Sequence, residues 1–151
     1  MPKGAVLQKR LDNCDLSIVQ GRIKYYRLKA GFMPTEMAKK MGIKYGNTYT
    51  NLFEYQGTPT HYTSLSRYQE LCEILNIDFA DIADEYLLFI SSNYDELLQK
   101  AIDLSGLPSS IFAEKHGLEY TTLRHSLKRM HKLSVETAHK YMAVLKSYGL
   151  Y

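Results

Sequence analysis

The segments "MAKKMGI" (Met37–Ile43) and "FAEKHGL" (Phe112–Leu118) repeat one pattern at an offset of 75 residues. Each sets an alanine within a short helical stretch, follows it with a glycine, and places an aliphatic residue just after. A small alanine lets the next helix lie close, the glycine takes the left-handed backbone of a tight turn, and Ile43 or Leu118 fills the space between helices. Without a gap, Gly31 to Ile43 aligns with Gly106 to Leu118. One additional residue in the first copy then brings Tyr49 opposite Leu123, Leu52 opposite Ser126 and Phe53 opposite Leu127.

Helical spacing surrounds both copies. In "SIVQGRIKYYRLKAG" the residues Ile18, Val19, Ile23, Tyr26 and Ala30 recur every three or four positions, and Gly31 supplies a stop. Thr35 or a neighbour opens a short helix through Met37, Ala38 and Met41 to Gly42. "TYTNLFEYQG" follows as a third helix, for which Thr48 or Asn47 is the expected cap. "SLSRYQELCEILNI" carries a stripe of Leu65, Tyr68, Leu71, Cys72 and Leu75, and "IDFADIADEYLLFI" reads as one further helix with Asp78 and Asp81 at its start.

The cycle then recurs in "YDELLQKAIDLSG", "PSSIFAEKHG", "YTTLRHSLKRM" and "SVETAHKYMAVLKSYG", the last with Ser134 three residues before Thr137 in a cap-like arrangement. No segment sustains strand alternation. The expectation is an all-α protein with an N-terminal arm over 1–17, a first helix-turn-helix domain over 18–90 and a second over 91–151. The boundary then falls near Ser91 to Asn93, and "EYLLFISSNY" reads as core between the units, with a dimer surface as the alternative.

Composition bounds the function. The 151 residues are 45% hydrophobic and 23% charged, close to the globular average. No apolar run reaches the roughly 18 to 20 residues that span a bilayer, and the start "MPKGAVLQKRLDNCD" lacks a signal-peptide core, so a cytoplasmic protein without membrane contact is expected. Cys14 and Cys72 lack the spacing of a metal site and read as free thiols. The net charge of +3 conceals a basic, acidic, basic order: ten Lys/Arg against three acids up to residue 45, Arg67 against nine acids over 46–99, and eight bases against four acids after that. Such separation can make one face attractive to polyphosphate.

The duplicated pattern, in this helical order, resembles the lambda-repressor-like, Cro-type helix-turn-helix family of phage and mobile-element regulators. The resemblance runs from about Arg22 to Ile82, carried by "RIKYYRLKAGFMPTEMAKKMGI" and "YQELCEILNIDFADI", and again from about Leu97 to Leu145, carried by "GLPSSIFAEKHGLEYTTLRHSLKRMHKLSVETA". It implies units of four or five helices whose third helix enters the major groove of double-stranded DNA, here near 47–56 and 120–130. The base-reading positions it implies in the second unit are Thr121, Thr122, Arg124, His125 and Lys128; an arginine can meet a guanine edge with two donors.

In the first unit the corresponding helix offers Asn47, Thr48, Thr50 and Asn51, with Glu54 beyond them and no Lys or Arg. Asn51 suits an adenine edge and Glu54 a cytosine amino group. Lys24, Arg27, Lys29, Lys39, Lys40 and Lys44 in the first unit, and Arg129 and Lys132 in the second, are the expected phosphate contacts. The reading is a sequence-specific transcriptional regulator. Its alternative is a helix-turn-helix-derived protein-interaction module, such as an antirepressor or an inhibitor of a host DNA-binding system, using the acidic stretch from Glu70 to Glu85. A homodimer or a regulatory protein partner fits either reading.

Enzyme chemistry finds little support. There is no phosphate loop, nucleophile elbow or dinucleotide fingerprint, and no cofactor is expected. His116, His125, His131 and His139 lack the spacing that puts two ligands on one helical face, so no metal site is expected. Arg124, His125 and Tyr141 could be assembled into a recombinase-like set, yet the chain is short for such a catalytic domain.

Overall fold

The computed structural model describes residues 3–151. Among these there are eleven helices and no strand, and no helix is long and apolar enough to cross a membrane. The chain divides into two compact units between Asp84 and Glu85.

The first unit contains α1 (Lys3–Asp12), α2 (Val19–Ala30), α3 (Pro34–Lys40), α4 (Gly46–Phe53), α5 (Leu65–Leu75) and the single-turn α6 (Phe79–Ile82). Residues 1–17 had read as an arm, but most of that stretch is α1, which packs on α2. A helix of 10 residues is marginal in water, so α1 draws on its packing against α2. α2 stops where Gly31 and Phe32 return their N–H groups to Leu28 and Arg27. Pro34 opens α3, and the Glu36 carboxylate accepts the Met33 N–H at 3.1 Å.

The turn after α3 is where the repeated pattern acts. Gly42 has φ 69°, and the Ile43 N–H reaches back to the Ala38 carbonyl at 2.8 Å. α4 begins earlier than its expected cap: Tyr45 is the N-cap, no side chain caps the helix, and Asn47 and Thr48 lie inside the first turn. Gly46 permits this start, because a Cβ there would come within 2.9 Å of Thr35 Cγ2 and 3.2 Å of its backbone nitrogen.

The core of this unit joins Ile23, Met37, Tyr49, Phe53, Tyr68, Leu71 and Ile82. Within it lies an ion pair. Arg27 Nε and Nη2 donate to the two oxygens of Glu54 at 2.7 and 3.0 Å, and Nη1 donates to the Phe32 carbonyl at 2.8 Å. Burial alone lowers the Arg27 pKa, but the Glu54 carboxylate more than offsets it and keeps the guanidinium charged. Burial, followed by the Glu54 charge, pushes the neighbouring Tyr49 phenol far above its usual value, so it stays neutral beside the pair.

The second unit contains α7 (Glu85–Ser91), α8 (Tyr94–Ser105), α9 (Ser109–Lys115), α10 (Tyr120–Leu127) and α11 (Val135–Ser147). The expected single helix over "IDFADIADEYLLFI" is in fact α6 and α7, separated at Ala83, whose backbone is extended at ψ 136°. Asp78 and Asp81 close a capping box on α6. The unit boundary consequently lies before α7, not after residue 90: Tyr86, Leu87, Phe89 and Ile90 are buried, α7 packs on α11, and the Tyr86 hydroxyl donates to the Leu133 carbonyl at 2.6 Å. Gly117 has φ 66°, and the Leu118 N–H meets the Ala113 carbonyl at 2.8 Å, the same turn as in the first unit. Ser134 caps α11 by accepting the Thr137 N–H at 3.1 Å.

Two outcomes follow for stability. Glu54→Ala leaves a buried guanidinium without its partner and should destabilise the first unit by about 3–5 kcal/mol in urea denaturation, whereas Arg27→Met with Glu54→Leu should recover most of the loss. In the second unit His116 Nε2 bonds to the Tyr148 hydroxyl at 2.8 Å, and burial, then the Lys115 charge, lowers its pKa below the ordinary 6.5. The folded state therefore favours the neutral ring, a contribution complete above pH 6.5 and lost as pH falls through the lowered value. Thermal melts at about pH 7.5 and 5.5 should show a larger loss for the wild type than for His116→Gln.

Candidate nucleic-acid interface

α4 is short and amphipathic. Tyr49 and Phe53 turn into the core, which leaves Asn47, Thr48 and Asn51 exposed on the other side. Thr50 is half-buried and its hydroxyl donates to the Gly46 carbonyl at 3.1 Å, so it offers an acceptor but not a free donor. Asn47, Thr48 and Thr50 share a shallow groove with Met33, Thr35 and Tyr45, formed where the first turns of α3 and α4 meet. Glu54 is only 7% exposed and bound to Arg27, which removes it as a reader of cytosine.

α10 is built the same way on α8 and α9. Leu123 and Ser126 face inward, Ser126 Oγ donating to the Thr122 carbonyl and lying 2.7 Å from the Tyr141 hydroxyl. That bond commits Tyr141 to the core. Thr121, Arg124 and Lys128 are exposed, and Thr122 and His125 are half-buried. The last two border a small cavity with His131, Lys132 and Ser134, and the His125 ring meets His131 edge to face at 5.0 Å. Hydroxyl, imidazole and guanidinium groups on one helix can serve as donors to base edges and phosphates, and the cavity carries no carboxylate.

The expected phosphate contacts separate into three groups. Lys29, Lys39, Lys40 and Lys44 are exposed, with the ammonium of Lys29 above Tyr25, Lys40 above Phe32 and Lys44 above Tyr45 at 5.0 to 5.3 Å. Lys132 is exposed as well, and partial burial lowers its pKa. Lys24 is half-buried and borders a different cavity, beside α1.

Two of the expected phosphate contacts are engaged within the protein. Arg27 is held inside the first unit by Glu54. Arg129, at φ 52°, donates to the carbonyls of Ile90 and Ser92 and to Asp95 and lies 4.3 Å from the Tyr94 ring centre, so its guanidinium ties the end of α10 to the start of α8.

Two aromatic residues outside the expected set adjoin these helices. Tyr45 and Tyr120 stand at the starts of α4 and α10, 60% and 39% exposed, each beneath a cation: Lys44 at 5.3 Å and Arg124 at 5.7 Å. Their signal in the sequence is a tyrosine directly after each repeated turn, in "GIKYG" and "GLEYT". No protein-family model matches the chain, and neither a curated protein nor a solved structure is significantly similar to it.

Arg129→Ala should lower the stability of the second unit by about 1–3 kcal/mol in denaturant titrations, through loss of its charge-assisted bonds. A polyanion titration should show no change in salt slope for this variant, in contrast to a residue that meets phosphate.

Proposed function

We propose that the chain is a sequence-specific, double-stranded DNA-binding regulator with two tandem helix-turn-helix units of the lambda-repressor-like kind, read by α4 and α10. The observation that carries the proposal is the pair of matching turns, each closed by the same bond from Ile43 or Leu118 to Ala38 or Ala113, followed by a helix with an exposed polar face. In the second unit Arg124 supplies two parallel donors for a guanine edge, Thr121 and His125 contribute adjacent contacts, and Lys128 meets phosphate or base. In the first, Asn51 pairs with an adenine edge while Lys39, Lys40 and Lys44 neutralise phosphates around a helix that carries no cation of its own. Tyr45 and Tyr120 lay apolar ring faces against the sugar-phosphate backbone.

A second reading draws on the inward-turned Glu54 and on the exposed acids Glu70, Glu73 and Asp81 of the first unit. On this reading the first unit docks a basic protein surface, as an antirepressor or inhibitor would. Retention of a basic partner without retention of duplex DNA favours it.

Random-site selection from a duplex library tests the main proposal. A selected duplex should bind about a thousandfold or more tighter than bulk DNA, with affinity falling as salt rises. Arg124→Ala should cost about 1–3 kcal/mol on that duplex and relax one base position. Equal affinity for selected and bulk DNA would overturn sequence specificity, and an Arg124→Ala variant indistinguishable from wild type would remove α10 from the interface.

A further inference from the structure

A cavity of about 420 Å³ lies on the α1 side of the first unit. Leu7 on α1, Leu28 on α2 and the Phe32–Pro34 link give it apolar walls, and Arg10 and Lys24 supply cations. Arg27 also contributes to the wall, but its charge is met by Glu54 and its side chain is 7% exposed. Among the described residues, neither Arg10 nor Lys24 forms an ion pair, and no carboxylate lines the cavity. The Glu36 carboxylate, which is not in the lining, accepts the N–H of the lining residue Met33.

This combination selects for chemistry. A cavity of this size suits a small organic molecule, and apolar walls reward a ligand with a hydrocarbon body. Two cations without partners reward an acid group on that body. A bare phosphate would use the charges and leave the walls wet; a neutral hydrocarbon would use the walls and leave the charges unmet.

We propose that this cavity binds a small amphiphilic organic anion, an aromatic or aliphatic carboxylate whose body lies against Leu7, Leu28 and Phe32 and whose acid group meets Arg10 and Lys24. The site stands independently of the DNA reading. It belongs to the first unit, where α1 supplies Leu7 and Arg10, and it shares only Met33 and Pro34 with the groove beside α4.

Titration of the full chain with 1-naphthoate, followed by amide NMR and calorimetry without DNA, tests it. The expected result is saturable one-to-one binding with shifts at Leu7, Arg10, Lys24 and Phe32. Arg10→Gln with Lys24→Gln should weaken it about tenfold or more, as loss of charge-assisted contacts requires. Leu7→Asp, at an exposed wall position, should weaken it comparably while amide shifts elsewhere report an intact fold. 1-Naphthalenemethanol and inorganic phosphate should each bind far more weakly. No binding of 1-naphthoate, equal binding of the neutral alcohol or of phosphate, or unchanged affinity in these variants would overturn the site.

Discussion

The buried pair of Arg27 and Glu54 ties together the parts of the first unit that the short α4 cannot hold alone. An eight-residue helix is marginal in water, and α4 has no side-chain cap at its start. Glu54, the residue that ends it, is bound through both oxygens to Arg27 in the last turn of α2, and the third donor of the same guanidinium fixes the chain at Phe32 before α3. One side chain thus sets the distance between α2, the entry to α3 and the end of α4. Apolar residues of similar size could stabilise such a site equally well, but they would not specify one mutual orientation through three directed bonds.

The second unit preserves the turn and changes the lock. The residues aligned with Arg27 and Glu54 are Ile102, which is buried, and Lys128, which is exposed. Its polar fastening comes from Ser126 with Tyr141, Tyr86 with the Leu133 carbonyl, and Arg129 with the segment from Ile90 to Asp95. Where the first unit places a carboxylate and a guanidinium inside, the second leaves Lys128 on the surface at the end of the helix that carries Arg124, so α10 presents cations that α4 lacks.

Much of this was legible because helix periods and glycine turns are local. Gly31, Gly42, Gly106 and Gly117 were readable as stops and all adopt positive φ. The polar face of α10 was readable as well, since the inward positions of Leu123 and Ser126 place Thr121, Arg124 and Lys128 outward. Other features were hidden for physical reasons. α1 is short and draws on its packing against α2; the break at Ala83 carries no glycine or proline to announce it. Arg27 and Arg129 looked like surface cations because residue type and net charge say nothing about which arginines find partners 27 and 34 residues away.

The sequence by itself determined the helical class, the two matching turns and the residue types exposed on α4 and α10, because these depend on neighbours a few positions apart. Tertiary structure alone decided which charges remain available, where one unit ends and the next begins, and that Lys3–Asp12 builds a helix and a cavity wall. Those outcomes depend on contacts between distant segments, where burial and pairing select one partner from many of the same chemical type.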